Sequence, residues 1–217
     1  MNIDLSNIKA IIWDWNGTLL DDVDMCVSCM NKLLLKRNLP FLSRERYIEI
    51  FTFPVKKYYE IIGFDFSKED FEIPAMEFIN NYQSGLKSIG LHQDALNVLD
   101  FFKTKGLSQY ILSAMEHDSL IKSLTENNIN EYFIDINGID NHYAHSKLEI
   151  GRVMLSKLDH KREEYLLIGD TLHDMDVAEG LGIQHLLIAN GHQSKNRLLG
   201  KTRFVVDSLA DFDSLFV

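Results

Sequence analysis

The hydrophobic positions of this chain fall into short apolar runs separated by stretches with helical periodicity. The apolar runs predict β-strands at residues 8–13, 109–112, 133–136, 165–168, 184–188 and 204–206. The periodic stretches predict helices at residues 93–105, 119–127, 147–158, 174–181 and 209–216. Buried strands that alternate with helices are typical of an α/β fold, in which helices cover both faces of a mostly parallel sheet.

Residues 21–87 follow a different pattern, because the strand signal stops there and helices alone are predicted. These helices span residues 22–37, 43–51, 55–62 and 68 to about 88. The segment interrupts the alternating pattern just after the first strand. We therefore expect an all-helical domain at residues 21–87 over the carboxyl edge of the sheet, where open α/β sheets place their sites. Residues 1–20 and 88–217 form the other predicted domain.

Several polar residues mark the predicted starts of the inserted helices. Ser43 and Ser67 are candidate N-caps, since a serine side chain accepts a hydrogen bond from a free backbone N–H group. Asp22 and its acidic neighbours favour the positive end of the first helix. Pro74 either kinks the last of these helices or divides it into two shorter ones.

Charge and composition limit the class of partner. Of the 217 residues, 46% are hydrophobic and 25% are charged, which is typical of a globular protein with a substantial core. A net charge of −10 repels a phosphate backbone, so no nucleic-acid partner is predicted. No apolar run reaches about 18 residues and residues 1–4 lack a basic segment, so we expect neither a membrane span nor a secretory signal. The cytoplasm is the resulting expectation, and a monomer and a dimer fit the sequence equally well.

Cys26 and Cys29 are the two cysteines of the chain and form a Cys-x-x-Cys pair. One such pair without partner ligands is a weak signal for a redox or metal site. Because residues 22–37 are predicted as a helix, the two side chains lie one turn apart on it. We favour the simpler interpretation, in which both are small residues on a partly buried helix face.

Two motifs at predicted strand ends carry the candidate chemistry. The first strand leads into Asp14-Trp15-Asn16-Gly17-Thr18, and a later strand leads into Gly169-Asp170-Thr171-x-x-Asp174. In order and placement these motifs resemble those of the haloacid dehalogenase superfamily of phosphotransferases. Within it, the chain is similar to the capped, phosphoglycolate-phosphatase-like group. The resemblance implies a Rossmann-like parallel sheet core and a small helical cap domain inserted after the first strand.

The resemblance also implies that Asp14 is the nucleophile. A carboxylate that attacks phosphorus gives an acyl phosphate, which divides one difficult step into two easier ones. Gly17 then allows a tight turn, and Thr18 is expected to form a hydrogen bond within the loop. By the same resemblance, Gly17, Ser113 and Lys147 bind the substrate phosphate. Lys147, at a predicted helix start, would also neutralise the nucleophile and take part in catalysis.

A Mg²⁺ site is implied at the same edge of the sheet. Asp14 and Asp170 would be carboxylate ligands, and the backbone carbonyl of Asn16 would be another. Asp174 would be either a direct ligand or an acceptor for a metal-bound water. Mg²⁺ prefers oxygen ligands and often uses one or two carboxylates together with waters and phosphate. Since the implied ligand is the Asn16 carbonyl, the amide side chain leaves the metal site intact.

Asn16 stands where the family has a second catalytic aspartate, which acts as general acid and then as general base. An amide donates a hydrogen bond but cannot transfer a proton in that way, and general acid–base help is worth roughly 10² to 10⁴ in rate. The substitution therefore favours phosphates whose leaving groups have a low pKa. His117, expected on a loop that faces the site, is an alternative proton donor, and His173 and His192 lie on other loops at this edge.

These observations predict a magnesium-dependent phosphatase that acts on a small phosphorylated metabolite, with residues 51–57 facing the substrate. Two other functions stay open. Phosphonate hydrolases of the superfamily resemble this chain in their non-acidic second position, and Lys56 or Lys57 would then form a Schiff base with an aldehyde substrate. A non-catalytic phosphate-binding relative would also keep Asp14 and Lys147.

Overall fold

The computed structural model describes residues 5–139 and 146–212. Within this part the strands are β1 (Ala10–Trp13), β2 (Ser108–Glu116), β3 (Asp135–Ile139), β4 (Tyr165–Gly169), β5 (Gln184–Ile188) and β6 (Val205–Val206). They form one sheet in the order β3-β2-β1-β4-β5-β6, and every neighbouring pair is parallel. The predicted α/β fold with a parallel sheet is confirmed.

The strand β1 lies in the middle of the sheet and is buried on both faces. Ile11 and Trp13 belong to the larger hydrophobic cluster, whereas Ala10 and Ile12 belong to a second cluster on the opposite face. This division follows from the alternation of side chains along a strand. Each fully buried isoleucine stabilises the fold by roughly 1.5–3 kcal/mol relative to an exposed one. Burial on both faces explains why β1 is an uninterrupted apolar run in the sequence.

The α-helices of the described part are α1 (Val23–Lys36), α2 (Arg44–Ile50), α3 (Val55–Ile61), α4 (Glu72–Gly85), α5 (Ala95–Thr104), α6 (His117–Glu126), α7 (Lys147–Ser156), α8 (Leu172–Leu181) and α9 (Lys195–Leu199). The helices α1–α4 come between β1 and β2 in the chain, as the sequence predicts, and α1 packs against α4. Apolar residues of α7 and α8 join the cluster that contains Ile12, while those of α5 and α6 join the cluster that contains Trp13. Helices therefore cover both faces of the sheet.

The start of α4 differs from the prediction. The helix begins at Glu72 rather than at residue 68, so Pro74 occupies its first turn, where a missing N–H group costs little. Pro74 therefore neither kinks nor divides the helix. Ser67 is not an N-cap, because its backbone N–H and its hydroxyl both donate to the Asp65 carboxylate in a turn. Ser43 is an N-cap, since its side chain accepts a hydrogen bond from the Arg46 N–H.

The largest remaining differences from the prediction concern β2, α9 and the predicted helix at residues 209–216. The strand β2 continues to Glu116, past a shift of register against β3 between Leu112 and Glu116. The short helix α9 was not predicted, because five residues are too few to show helical periodicity. Of the predicted helix 209–216, the structure shows a 3₁₀ turn at Leu209–Asp211, and residues 213–216 lie outside the described part. None of the described helices is long and apolar enough to cross a membrane.

Cys26 and Cys29 lie on α1, as predicted. Both are buried and their thiols are not joined in a disulfide. The simpler interpretation of the pair, as small residues of a buried helix face, therefore agrees with the structure.

Candidate active site

The carboxyl ends of β1 and β4 bring the two motifs together. These strands are parallel neighbours in which Trp13 is level with Ile168, so Asp14 and Asp170 emerge at the same edge of the sheet. The Asp14 N–H donates to the Ile168 carbonyl at 2.8 Å, which extends the ladder by one residue beyond β1. The position of both carboxylates is therefore set by the register of the sheet.

Asp174 joins these two carboxylates from the first turn of α8. Thr171 is the N-cap of this helix, and its hydroxyl and its N–H both donate to Asp174 Oδ2, at 2.6 and 3.0 Å. Carboxylate oxygens of Asp14, Asp170 and Asp174 lie within 4.8 Å of one another, and all three residues are buried. The predicted metal-binding carboxylates therefore form one cluster.

Lys147 supplies a positive charge inside this cluster. It is the first residue of α7, whose N-cap Ser146 forms a capping box with Glu149. The ammonium group donates to Asp174 Oδ1 at 2.6 Å and to Asp14 Oδ1. Burial alone would lower the Lys147 pKa, but the two carboxylates raise it, so the side chain stays protonated. The structure thus places Lys147 beside the predicted nucleophile.

The carboxylate cluster still carries excess negative charge. Burial raises the pKa of Asp14 to about 6, although the adjacent Lys147 acts in the opposite direction. Burial also raises the pKa of Asp170 to about 8; His192 acts in the opposite direction, and Asp174 and Asp14 add to the increase. Several hard oxygen donors with unfavourable mutual repulsion suit a divalent cation such as Mg²⁺. The residues present therefore fit the implied metal; a contribution of the Asn16 carbonyl stays a prediction.

The loop after Asp14 is shaped by Gly17 and Thr18. Gly17 has φ of 74°, and a side chain there would collide with the Asp170 carboxylate and the His192 ring. The Thr18 hydroxyl donates to Asp170 Oδ1 at 3.2 Å and to Asp14 Oδ2 at 3.4 Å, which agrees with its predicted role within the loop. The Gly17 N–H donates to Asp22 Oδ1 at 2.8 Å, and Gly17 does not line the cavity described below. The Gly17 N–H is thus engaged within the protein, and its predicted contact with phosphate stays a prediction.

The amide of Asn16 is part of a partly buried hydrogen-bond network, and Asn16 also lines the cavity described below. Its Nδ2 donates to Asp22 Oδ2 at 2.9 Å and to the Tyr82 hydroxyl at 2.8 Å. Tyr82 in turn donates to Asp22 Oδ2 at 2.7 Å. Although Asp22 precedes α1, its side chain makes no capping hydrogen bond to that helix. The sequence interpretation of Asp22 as a helix-start residue therefore missed its principal contacts.

Asp22 also forms an ion pair with His192, at 3.2 Å between Oδ1 and Nε2. Burial alone would raise the Asp22 pKa, but His192, Tyr82 and Asn16 lower it to about 2. Burial alone would lower the His192 pKa, but Asp22 raises it to about 9. The other ring nitrogen of His192 forms a 2.9 Å hydrogen bond with the Tyr47 hydroxyl. This charged pair, with both tyrosines, was not identified from the sequence.

Sequence signals for this pair were weak but present. Asp22 follows closely on the Asn16-Gly17-Thr18 segment, and His192 follows β5, the strand next to β4 in the sheet. His117, the alternative proton donor named from the sequence, is not on a loop: it is the first residue of α6 and does not line the cavity. Because β2 extends to Glu116, His117 lies at the start of the next helix rather than on the expected loop. His173, predicted on a loop, lies in the first turn of α8, lines the cavity and stacks on Phe53 with ring centroids 4.5 Å apart.

A cavity of about 570 Å³ lies between the carboxylate cluster and the inserted helices. Its floor includes Asp14, Lys147 and Ser113, and Ser113 is 1% exposed at the point where β2 shifts register. From residues 51–57, Phe51, Phe53 and Val55 line the cavity. Lys56 and Lys57 are exposed and do not line it, so the structure gives no support to the Schiff-base alternative.

Solved structures with the same fold cover almost the whole chain. A predicted phosphatase from Clostridium acetobutylicum has a TM-score of 0.80 at 16% identity, over 95% of this chain and 97% of that one. A predicted phosphoglycolate phosphatase from Haemophilus somnus has a TM-score of 0.76 at 17% identity, over 97% and 99%. Protein tyrosine kinase A from Mycobacterium tuberculosis has a TM-score of 0.80 at 20% identity, also over 97% and 99%. At these identities the likeness shows the fold alone.

Sequence comparisons identify the family. No curated protein sequence matches the chain. The family model for haloacid dehalogenase-like hydrolases matches residues 11–188, which include Asp14, Asn16, Ser113, Lys147, Asp170 and Asp174. The resemblance inferred from the two motifs is thereby confirmed, and the chain belongs to the haloacid dehalogenase-like hydrolase family.

Proposed function

We propose that this hydrolase is a magnesium-dependent phosphatase that cleaves a small phosphate monoester through an aspartyl phosphate on Asp14. The observation that carries the proposal is the buried convergence of Asp14, Lys147, Asp170 and Asp174 at the floor of one cavity. Lys147 neutralises the nucleophile, and the cavity gives a phosphate ester access to it. The names of two structural neighbours, both phosphatases, support the same reaction class.

In the first step the Asp14 carboxylate attacks phosphorus, and the bond from phosphorus to the ester oxygen breaks. The leaving group departs as an alcohol or alkoxide, and a water then attacks the aspartyl phosphate to release inorganic phosphate and free Asp14. Lys147 and the Ser113 hydroxyl would bind phosphoryl oxygens in both steps. Mg²⁺, when bound by Asp14 and Asp170 with Asp174 nearby, supplies charge neutralisation for the phosphoryl group.

The side chain of Asn16 has no acid or base function in this scheme. Its amide is directed to Asp22 and Tyr82, so a proton for the leaving oxygen must come from water or from another lining group such as His173, or be unnecessary. Loss of general acid help costs roughly 10² to 10⁴ in rate, most severely for strongly basic alkoxides. We therefore propose that aryl, acyl and anhydride phosphates are the substrates that this site cleaves efficiently.

The domain division also belongs to this proposal, with residues 21–87 as the cap and residues 1–20 and 88–217 as the core. Contacts between the two hold the cap against the active site. The Ser194 N–H donates to the Ile48 carbonyl at 3.1 Å, and Arg197 donates to the Phe51 carbonyl at 2.7 Å. A cap fixed in this way excludes large substrates and water, which supports a small phosphorylated metabolite. Cytoplasmic location and oligomeric state stay predictions.

The test is phosphate release from acyl, aryl and alkyl phosphates, measured with Mg²⁺ and with excess chelator. Freshly purified protein is required, because Asn16-Gly17 is prone to deamidation and mass spectrometry must confirm the amide. Magnesium-dependent release by the wild type, abolished in Asp14→Asn and retained in Asp118→Asn on the surface of α6, is the expected result. Equal rates for aryl and alkyl phosphates of matched size would contradict the assigned role of Asn16, and release that Asp14→Asn retains would contradict the nucleophile.

A further inference from the structure

The wall of the cavity above the carboxylate cluster is aromatic and comes from the cap. It includes Phe51, Phe53, Tyr58, Phe71, Phe78 and Tyr82. Several of these rings are packed against one another: Phe51 and Tyr58 meet edge to face with centroids 5.3 Å apart, and Phe78 and Tyr82 stack at 6.1 Å. Aromatic side chains held by such contacts form a preorganised surface for an apolar ligand group.

Positive charge on the cavity wall is confined to its floor. Among the lining residues that the structure describes, Lys147 is the one lysine and there is no arginine, and residues 1–4, 140–145 and 213–217 contain neither residue type. Lys147 is already held between Asp14 and Asp174, where the phosphoryl group would bind. His192 also lines the cavity, and its ring is paired with Asp22 at 3.2 Å. His173 is the remaining basic side chain among the described lining residues, and its ring is stacked on Phe53. No other lysine or arginine of the described cavity wall is therefore available to bind a second anionic group on a substrate.

The cap side of the cavity instead carries negative charge. Glu72, in the first turn of α4, is exposed and lines the cavity, and Glu116 lines it from the end of β2. A carboxylate on the leaving group would meet these side chains without a compensating cation, which is unfavourable in a partly desolvated cleft. Substrates such as phosphorylated hydroxy acids are therefore poorly matched to this cavity.

From the aromatic wall and this distribution of charge, we propose that the cavity binds phosphate monoesters whose leaving group is aromatic and carries no anionic group. The inference rests on the proposed phosphatase function and specifies the substrate class of that same site. It is independent of the argument from Asn16, which concerns leaving-group chemistry, yet both arguments favour aryl esters. A cavity of about 570 Å³ is large enough for one or two fused rings.

Binding of non-hydrolysable phosphonates tests the substrate class without turnover. Isothermal titration calorimetry with Mg²⁺ would compare methylphosphonate, benzylphosphonate, 2-naphthylmethylphosphonate and 3-carboxybenzylphosphonate. Burial of each added ring should tighten binding at least about tenfold, because apolar groups in such pockets commonly contribute that much. The carboxylated benzyl compound should bind at least about tenfold more weakly than benzylphosphonate, because its anion faces Glu72 and Glu116.

A charge-reversal variant provides the matched control. Glu72→Lys should strengthen binding of 3-carboxybenzylphosphonate several-fold more than it strengthens binding of benzylphosphonate. Glu60→Lys makes the same change in net charge at an exposed cap residue that does not line the cavity, so it should change neither affinity. If Glu60→Lys acts like Glu72→Lys, the effect is a general one of net charge and the assignment of Glu72 to the binding wall fails.

The outcomes separate this inference from the proposed function. Benzylphosphonate that binds no more tightly than methylphosphonate, or a carboxylated compound that binds most tightly, would overturn the substrate class. If the affinities follow the expected order but no aryl phosphate is hydrolysed in the presence of Mg²⁺, the proposed binding preference of the cavity stands and the phosphatase function fails. If phosphate is released equally from phenyl, 2-naphthyl and 3-carboxyphenyl phosphates, whose phenols have similar acidity, hydrolysis is established but its proposed selectivity is not.

Discussion

Replacing Asn16 by aspartate should make the stability of this protein depend on pH in a way that the wild type does not. The Asn16 amide nitrogen lies 2.9 Å from Asp22 Oδ2, so the new carboxylate would lie against a buried carboxylate whose pKa is about 2. Two negative charges about 3 Å apart repel by about 5 kcal/mol at an effective dielectric constant of about 20. Protonating an ordinary aspartate at pH 7 costs about 4 kcal/mol. Because protonation costs less than this repulsion, the new side chain should bind a proton and donate a hydrogen bond to Asp22.

The sign of the effect follows from the raised pKa. The aspartate at position 16 would have a higher pKa in the folded state than in the unfolded chain. Below about pH 4 it is protonated in both states, so the raised pKa does not lower the stability of the variant there. Above that pH the variant should lose about 1.4 kcal/mol of stability per pH unit relative to the wild type, up to its folded pKa. The positive charge on His192 limits this loss of folding stability, which should not exceed about 4 kcal/mol at pH 7.

Urea unfolding of the wild type, Asn16→Asp and Asn16→Ala at pH 5, 6 and 7 measures this difference. Asn16→Ala removes the same hydrogen bonds without adding a titratable group, so its cost, about 1–2 kcal/mol, should be independent of pH. Titration of Asp14 and Asp170 is common to all three proteins and cancels in the comparison. An Asn16→Asp difference that stays constant from pH 5 to pH 7 would refute the assignment of Asn16 and Asp22 to one network.

Three further predictions follow from other contacts. Asn16→Asp, protonated at neutral pH, should accelerate alkyl phosphate hydrolysis by about 10² to 10⁴ while changing aryl hydrolysis much less, as steady-state rates would show. Gly17→Ala should destabilise the fold by more than about 3 kcal/mol in thermal unfolding, since the added side chain collides with Asp170. Gly106 has a similar φ of 76° with open space around it, so Gly106→Ala should destabilise the fold by only about 1 kcal/mol. Arg197→Ala removes a donor to the Phe51 carbonyl and should raise KM several-fold, because the cap is then held less firmly. An unchanged KM would show that this contact does not control closure of the cap.

Much of the fold and the carboxylate cluster could be predicted from sequence, because local patterns determine them. Apolar runs identify strands that are buried on both faces, and parallel neighbours bring their carboxyl ends to one edge. Asp14 and Asp170 each follow such a run directly. Their proximity therefore depends on the order of the strands, which the resemblance to the family implied.

The network around Asn16 could not be predicted in this way, because its members come from distant parts of the chain. Tyr82 is 66 residues from Asn16, and it reaches the amide through the packing of α4 against α1. An aspartate that precedes a helix is usually interpreted as a capping residue, so no pattern in the sequence placed the Asp22 side chain in the site. The carboxyl end of β2 was equally hard to predict, since Ser113 and Ala114 lack the β-branched side chains typical of strands.

The measurement that tests the central claim most directly is a rapid-quench experiment with an aryl phosphate and Mg²⁺. Because Asn16 cannot activate water, hydrolysis of the aspartyl phosphate should be slower than its formation from an aryl ester. The expected result is a burst of about one phenol per active site, with phosphate bound to the protein in a hydroxylamine-sensitive bond that Asp14→Asn lacks. Phenol release without any such phosphoprotein, or labelling that persists in Asp14→Asn, would contradict catalysis through Asp14.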